Sequence, residues 1–283
     1  MKIAKTLYLF FFCFVIGQTP VITSAEANNT SGGKTPFAIY WGKSGAFAEL
    51  ESRRISGVRS VVDGDTIVLN SGPEVRFVGI QAPKLPLGRK NFPTWPLAQE
   101  AADFITALTV NRRFTTHVGQ TAQDRHQRLL AHLVRDDGLW LQGTLLRAGL
   151  ARVYSFPDNT RLVSEMLAIE EKARRERRGI WALPHYRIRD AARANWPDGS
   201  GFELVQGTVA KVARVRGTTY LNFGENWKTD FTITIPARWR RNFTSAGIDL
   251  ASYAGRKLLV RGWVKRRNGW MIIATHPEQL QER

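Results

Sequence analysis

Residues 57–84 read GVRSVVDGDTIVLNSGPEVRFVGIQAPK, and this stretch decides the fold. Two runs of alternating apolar residues flank a tight turn of sequence DGDT, a pattern that predicts a β-hairpin. The turn gathers Asp63 and Asp65, while Arg76 belongs to the next strand. Paired carboxylates suit a hard cation with oxygen ligands, and an arginine suits a phosphate. The same turn is also typical of an ordinary hairpin without a site.

The chain carries a large positive charge. Its 283 residues include 41 Lys and Arg against 24 Asp and Glu, which gives a net charge of +17. The apolar content of 43% is that of a globular protein. Such a charge attracts polyanions, of which nucleic acid is the commonest, with anionic membranes and cell-wall polymers as alternatives. A high pI can also do no more than keep an exported protein in solution.

Residues 1–27 are typical of a secretory signal peptide. Lys2 and Lys5 precede an apolar run over residues 7–16, and Ala25 and Ala27 mark a cleavage site. The run is too short to span a bilayer comfortably, so we expect no stable membrane insertion after cleavage; an uncleaved anchor is the alternative. The only cysteine, Cys13, lies in this segment. We therefore expect an exported protein, periplasmic or secreted, that uses neither disulfides nor thiolate chemistry.

The pattern that follows predicts a β-barrel with added helices, in an α+β chain. A polar leader occupies residues 28–53. A first domain at residues 54–183 shows three strands, a helix, two strands and two more helices, over residues 55–80, 95–108, 113–119 with 129–135, 139–147 and 158–178. Three strands, a helix and two strands are the order of a small five-stranded barrel of the oligonucleotide/oligosaccharide-binding (OB) type.

A second barrel is predicted beyond a linker at residues 184–201, which contains the sequence PDGSG. The domain at residues 202–283 starts with three strands, continues with a helical or irregular cover over residues 239–253, and ends with two strands joined by an Asn-Gly turn. Because this repeats the order of the first domain, we expect two tandem OB-type barrels.

Five motifs of the first domain resemble the staphylococcal nuclease (thermonuclease) family. They occur in the family's order, and they are VDGDT at residues 62–66, VRFVGIQAP at 75–83, DRHQR at 124–128, RAGLARV at 147–153 and EKARRERRGIW at 171–181. The resemblance covers residues 54–183, under half of the chain. It implies a calcium-dependent phosphodiesterase that acts on DNA and RNA. The C-terminal part resembles, more loosely, barrels appended to some bacterial members, through LNFG at 221–224 and DFT at 230–232.

The resemblance also implies site residues. In family members two aspartates and a backbone carbonyl bind calcium, a glutamate assists the attacking water, and two arginines stabilise the transition state. The positions that keep the family's residue types are Asp65 for the first calcium aspartate, Asp63 for its outer neighbour, and Arg76 and Arg128 for the arginines.

Other positions depart from the family pattern. Gln81 stands in place of the second calcium aspartate, and Lys84 in place of the glutamate. His126 replaces a tyrosine that shares the phosphate. Of the two tyrosines that line the nucleotide pocket, Tyr154 is kept and Phe156 replaces the other.

The replacements make the pocket more positive, since Gln for Asp adds one unit of charge and Lys for Glu adds two. A divalent ion needs several carboxylate oxygens, and a protonated lysine cannot act as a general base. We therefore expect Arg76, Arg128 and Lys84 to bind phosphate, with no cofactor and with weak or no hydrolysis. The alternative is an active, calcium-dependent nuclease in which an acidic residue elsewhere restores the acid or base, namely Glu49, Glu51 or Glu100.

The second barrel is basic and rich in aromatic residues. Residues 200–283 contain 14 Lys and Arg against 6 Asp and Glu. Barrels of this type bind single strands by stacking bases on aromatics in a basic groove, although at least half of these aromatics should be core residues. We expect single-stranded DNA or RNA as partner, with Trp227 in a loop as an exposed stacking residue. Alternatively, this barrel binds a protein or a wall polymer and the chain is a structural adaptor.

Overall fold

In the described residues, alternating apolar residues produce two large successive sheets and a small sheet of two strands. The computed structural model describes residues 36–41, 45–55, 57–193 and 201–283. The predicted signal peptide, the start of the predicted leader and residues 194–200 of the predicted linker lie outside the described residues. Residues Thr35–Arg283 form one compact unit. In these described ranges, no helix combines the length and apolar character needed to cross a membrane.

The strands and helices follow the predicted order. The strands of the first half are β1 (Glu51–Ile55), β2 (Val58–Asp63), β3 (Thr66–Leu69), β4 (Glu74–Phe77), β5 (Ile80–Gln81), β6 (Phe114–Gln123), β7 (Leu129–Arg135) and β8 (Arg152–Val153). Those of the second half are β9 (Arg189–Asp190), β10 (Phe202–Thr208), β11 (Lys211–Val215), β12 (Thr218–Asn222), β13 (Thr232–Ile235), β14 (Lys257–Arg266), β15 (Trp270–Ile273) and β16 (Leu280–Glu282). The α-helices are α1 (Ala98–Thr109), α2 (Leu141–Ala148), α3 (Val163–Arg175) and α4 (Arg240–Ser245).

Two consecutive strands, β1 and β2, close the first barrel. The strand order is β1-β6-β7-β4-β3-β2, with β1 and β2 adjacent in the chain but at opposite ends of the sheet. Gly57, which precedes β2, has a φ of 132° that is accessible mainly to glycine. β1 pairs with β6, whereas β2 pairs with β3. This confirms the predicted arrangement of three strands, a helix and two strands closed into a barrel.

The second sheet closes in the same way. Its order is β11-β12-β13-β15-β14-β10, and β10 and β11 are two parts of one strand that bends at residues 209–210. β10 pairs with β14, whereas β11 pairs with β12. The cover between β13 and β14 contains α4, and Phe243 of that helix is fully buried. A second five-stranded barrel is thus confirmed.

Two segments extend beyond the predicted boundaries. β1 begins at Glu51 and Phe47 is buried in the first core, so the end of the predicted leader belongs to the first barrel. In the predicted linker, Arg189 and Asp190 form β9, which pairs in parallel with β10. Residues 189–190 of that linker are therefore attached to the second sheet.

A buried ion pair joins the two barrels. The guanidinium of Arg261 on β14 donates to both carboxylate oxygens of Glu170 on α3, at 3.0 and 2.9 Å, and each side chain is only 2% exposed. Glu170 also accepts from the backbone N–H of Val153 at 2.6 Å, and Arg261 donates to the carbonyl of Val153 and to the side-chain oxygen of Gln281. The hydrogen bonds compensate the cost of removing both charges from water.

Replacing Glu170 by alanine should leave the Arg261 charge buried without its counter-ion. We expect Glu170→Ala to lower the free energy of unfolding by about 3–5 kcal/mol, measured by denaturant titration. The control is Arg54→Ala, which breaks the exposed Arg54–Asp136 pair and should change it by less than about 1 kcal/mol. Equal effects of the two variants would contradict the role of the buried pair.

Candidate nucleic-acid site

A tight turn holds two buried carboxylates together. β2 ends at Asp63, β3 begins at Thr66, and these two residues are paired in the hairpin. The backbone N–H of Asp65 donates to Asp63 Oδ1 at 3.1 Å. A Cβ on Gly64 would lie 2.6 Å from the Cβ of Ala101 on α1, so only glycine permits this approach of the helix. The turn therefore fixes the side chains of Asp63 and Asp65 in the interior, where they require a positive partner.

That partner is Lys84. Its ammonium donates to Asp63 Oδ2 at 3.0 Å and to Asp65 Oδ1 and Oδ2 at 2.7 and 2.8 Å. An ammonium has three donors, and all three are used here. We call Asp63 and Asp65 the two-carboxylate cradle. Lys84 is the cation that this cradle binds. The sequence predicts Lys84 on a phosphate; that role stays a prediction, and in the structure Lys84 binds the cradle.

Arg76 binds the same cradle from the neighbouring strand. Its Nη1 lies 3.1 Å from Asp65 Oδ1. The guanidinium also donates to the carbonyls of Asp65, Phe77 and Ile80 at 3.2, 3.0 and 2.8 Å. Two carboxylates and two cations make this four-residue cluster neutral, although the sequence argument expects a positive pocket. Arg76 therefore fixes the turn through contacts within the protein.

The two carboxyl groups have opposite pKa shifts. Burial alone would raise the pKa of Asp65, but Arg76 and Lys84 outweigh it and hold that pKa well below its usual value. Burial and the nearby negative charge of Asp65 raise the pKa of Asp63, and the lowering by Lys84 is smaller. Asp65 is therefore the firmly ionised member of the pair, and Asp63 is the one that takes up a proton more readily.

Calcium does not fit this set of residues. Calcium takes six to eight oxygen ligands, mostly carboxylates and carbonyls. Only the two carboxylates of the cradle are available, and Lys84 already binds both. Across the described ranges there is no group of three or more His, Cys, Asp or Glu side chains with a metal-binding arrangement. Of the acids considered as replacements, Glu49 pairs with Arg161 at 3.3 Å, and Glu51 and Glu100 are exposed.

Gln81 is bound to an arginine at the junction of the barrels. Its Oε1 accepts from Nη2 of buried Arg152 at 3.0 Å, and Arg152 Nη1 donates to the carbonyl of Phe202 in β10 at 3.0 Å. Burial lowers the pKa of Arg152. The position of the family's second calcium aspartate is thus linked through one side chain to the second barrel. No sequence motif indicated this contact.

Arg128 and His126 lie together in a separate pocket. Arg128 donates through Nε and Nη2 to Asp124 Oδ2 at 2.8 and 2.6 Å, and Asp124 Oδ1 accepts from the backbone N–H of His126 at 2.8 Å. Arg128, His126, Gln127 and Glu74 line an open pocket of about 460 Å³. The structure therefore brings Arg76, Lys84 and the two aspartates together, and Arg128 lines a pocket with His126. Arg128 as a phosphate ligand stays a prediction.

Tyr154 lies in an aromatic group that both barrels form. Its hydroxyl accepts from Trp263 Nε1 at 2.9 Å, and its ring contacts the edges of Phe156 and Phe202 at centroid distances of 4.8 and 4.9 Å. Phe156 and Trp263 are exposed to 47% and 41%. The predicted nucleotide-pocket residue Tyr154 thus has a partner from the second barrel, which the family motifs could not indicate.

Comparison with known proteins identifies the class. The profile described as Staphylococcal nuclease homologue matches residues 74–183. The thermonuclease of Staphylococcus intermedius is 26% identical over 127 residues, which cover 44% of this chain and 74% of that protein. An uncharacterized endonuclease of Escherichia coli O157:H7 is 31% identical over 125 residues, which cover 43% of this chain and 73% of that protein. The barrel with this carboxylate turn is that of a nuclease family.

The chain belongs to the staphylococcal nuclease family, as the sequence predicts. Endonuclease YhcR of Bacillus subtilis (strain 168) is 30% identical over 134 residues, which cover 44% of this chain but only 11% of that protein. Each of these three matches covers less than half of the present chain. They support the fold of the first barrel, and the function of the whole chain is therefore a proposal.

Replacing Lys84 should destabilise the fold, because the buried carboxylates of Asp63 and Asp65 would lose the ammonium that neutralises them. The low pKa of Asp65 contributes stability that is complete above the unfolded-state pKa of about 3.9 and is lost as the pH falls through the folded-state pKa. The raised pKa of Asp63 has the opposite effect: it lowers the stability at neutral pH, and this loss disappears as the pH falls. We expect Lys84→Met to lower the free energy of unfolding by about 3–5 kcal/mol at pH 7, and by progressively less as the pH falls below about 3.9 towards the folded-state pKa of Asp65.

Thermal unfolding as a function of pH measures this difference. The matched control is Lys90→Met, which removes an exposed lysine of the same loop and should leave the pH profile unchanged. A Lys84→Met deficit that stays constant from neutral to acidic pH would show that the lysine does not neutralise ionised carboxylates.

Proposed function

We propose that this chain is an exported nucleic-acid-binding protein with weak or no calcium-dependent hydrolysis. The observation that carries the proposal is the ammonium of Lys84, which binds both carboxylates of the cradle. In that position it competes with a divalent ion, and an ammonium group cannot accept a proton from water. Export rests on the signal-peptide pattern of residues 1–27.

Nucleic acid is the partner that the family and the charge favour. The relatives named above are a thermonuclease and endonucleases. A net charge of +17 provides the long-range attraction to a polyanion. We place phosphate contacts at the open pocket of Arg128 and His126, since Arg76 and Lys84 are engaged by the cradle. Bases are expected to contact the aromatic group of Tyr154, and a flexible single strand reaches this group more readily than a duplex does.

An active nuclease is the second candidate, because the relatives are named as nucleases. In that case the cradle would have to release Lys84 and accept calcium. A structural adaptor that binds a protein or a wall polymer through the second barrel is the third. The salt dependence of binding distinguishes the adaptor from the two nucleic-acid-binding candidates, because binding through phosphates weakens steeply as the salt concentration rises.

A cleavage assay in three conditions tests the main proposal. Single-stranded DNA is incubated with the full chain in calcium, in magnesium and in EDTA, and both retention and fragment lengths are measured. We expect salt-sensitive binding in all three conditions and fragments in none. Arg128→Ala should weaken binding, because it removes a cation from the proposed phosphate pocket. Metal-dependent cleavage that is lost in Arg76→Ala and in Arg128→Ala would contradict the proposal and support the active nuclease.

The converse experiment restores the family's acids. We expect the double variant Gln81→Asp with Lys84→Glu to gain calcium-dependent cleavage and a calcium-dependent increase in melting temperature, because it supplies additional carboxylate oxygens beside Asp63 and Asp65. Lys84→Met is the matched control, since it removes the ammonium without adding an oxygen ligand. If the double variant gains neither property, the site differs from that of active relatives in more than these two side chains.

A further inference from the structure

The second barrel carries a groove on the outer face of its first three strands. The groove has a volume of about 850 Å³, within the range of about 300–1,000 Å³ that ligand sites occupy. Its floor is formed by β11, β12, β13 and β15, and its rim by the loop at residues 224–227 and the hairpin at residues 267–268. Its lining shares no residue with the cradle or with the pocket of Arg128, and it includes Trp227, the stacking residue that the sequence predicts.

Small side chains keep the floor of the groove open. Tyr220 on β12 is paired with Ala213 on β11 and with Thr234 on β13, and all three residues line the groove. Alternate residues of the same strands, such as Leu221 and Ile233, point into the core and are fully buried. The half-buried ring of Tyr220 therefore lies between the short side chains of Ala213 and Thr234, which leaves room for a planar group above the ring.

The rim presents an exposed tryptophan on an ordered loop. Trp227 is 54% exposed, although tryptophan is usually well buried. The loop is held by hydrogen bonds between Asn226 and Asp230, in which the backbone N–H of Asn226 donates to Asp230 Oδ2 at 2.8 Å and the N–H of Asp230 donates to the carbonyl of Asn226 at 2.9 Å. Trp227 is therefore exposed to solvent on a loop whose conformation is held by these hydrogen bonds before any ligand binds.

The two sides of the rim are packed against each other. A Cβ on Gly269 would lie 2.5 Å from the carbonyl oxygen of Asp230 and 2.7 Å from that of Thr229. This close approach places the hairpin that carries Arg267 directly beside the loop of Trp227. An aromatic ring and a guanidinium thus border the same groove.

The chemistry of the lining matches single-stranded nucleic acid. Tyr220 and Trp227 offer flat apolar faces, and Lys211 and Arg267 offer positive charge, against one acidic residue, Glu225. Stacking of bases on aromatics beside a basic track is the general mode of single-strand binding. The surrounding barrel, with 14 Lys and Arg against 6 Asp and Glu over residues 200–283, has a net charge of +8, which disfavours a basic peptide and favours a polyanion.

We propose that this groove binds a short run of single-stranded nucleic acid, with bases stacked on Trp227 and Tyr220 and phosphates bound by Arg267 and Lys211. The inference deepens the proposed function and rests on it, since it identifies a second contact region for the same polymer. The first barrel would hold the backbone at the pocket of Arg128, and the second barrel would hold bases.

Fluorescence anisotropy of the full chain with a labelled thymidine oligonucleotide of about 16 nucleotides tests the groove. Trp227→Ala should weaken binding about 5- to 150-fold, the factor that corresponds to losing one stacked base. Arg267→Gln should weaken binding and reduce its salt dependence. The matched control is Arg256→Gln, which removes the same charge from an exposed position of this barrel outside the groove and should have a much smaller effect. Melting temperatures verify that each variant is folded.

Cross-linking with an iodouracil-substituted oligonucleotide then separates this inference from the proposed function. Cross-links on Trp227 or Tyr220, together with the loss of affinity in Trp227→Ala, support the groove. Unchanged affinity in Trp227→Ala with cross-links confined to residues 54–183 overturns the groove and leaves the proposed function standing. Cross-links confined to the groove, with no effect of Arg128→Ala, support the groove and overturn the role given to the first barrel. No binding by the native chain at low salt overturns both.

Discussion

The contact of one ammonium with two buried carboxylates organises the first barrel around its hairpin turn. Asp63 and Asp65 are brought together by a turn that requires Gly64, and a cation must neutralise them because they lie out of contact with water. Lys84, nineteen residues beyond Asp65, supplies that cation from within the chain. The same contact satisfies the turn, fixes the start of the loop that follows β5 and occupies the carboxylate oxygens on which a calcium site would depend.

The second barrel is connected to this region by buried polar contacts. Arg152 binds Gln81 on one side and the backbone of Phe202 on the other. Tyr154 receives a hydrogen bond from Trp263. These contacts make the second barrel part of the environment of the candidate site. Gln81 thus supports the junction between the two barrels through Arg152.

Much of the fold could be predicted from the sequence, because alternation and turn residues act locally. The hairpin around residues 62–66, the order of strands and the Asn-Gly turn of the second barrel all follow from short patterns. The bend at residues 209–210 was not predicted, because no proline or Asn-Gly turn interrupts the sequence there. Barrel closure, which requires β10 and β11 to pair with different partners, determines that bend.

The candidate site was less predictable, because the partners of long charged side chains depend on the tertiary structure. The sequence identifies Lys84 and Gln81 as departures from the family, but it gives no indication that Lys84 binds both aspartates or that Gln81 binds Arg152. Nor does it indicate that Arg128 binds Asp124. The replacement of residue types could be read from motifs, whereas the resulting neutral cluster could be recognised only from distances.

The most direct measurement is a crystal structure of the native chain grown in a calcium concentration that saturates active relatives, with anomalous data to identify the metal. We expect the Nζ of Lys84 within hydrogen-bond distance of both Asp63 and Asp65, and no calcium peak between them. A calcium ion coordinated by these carboxylates, with Lys84 displaced and an ordered water beside the metal, would contradict it.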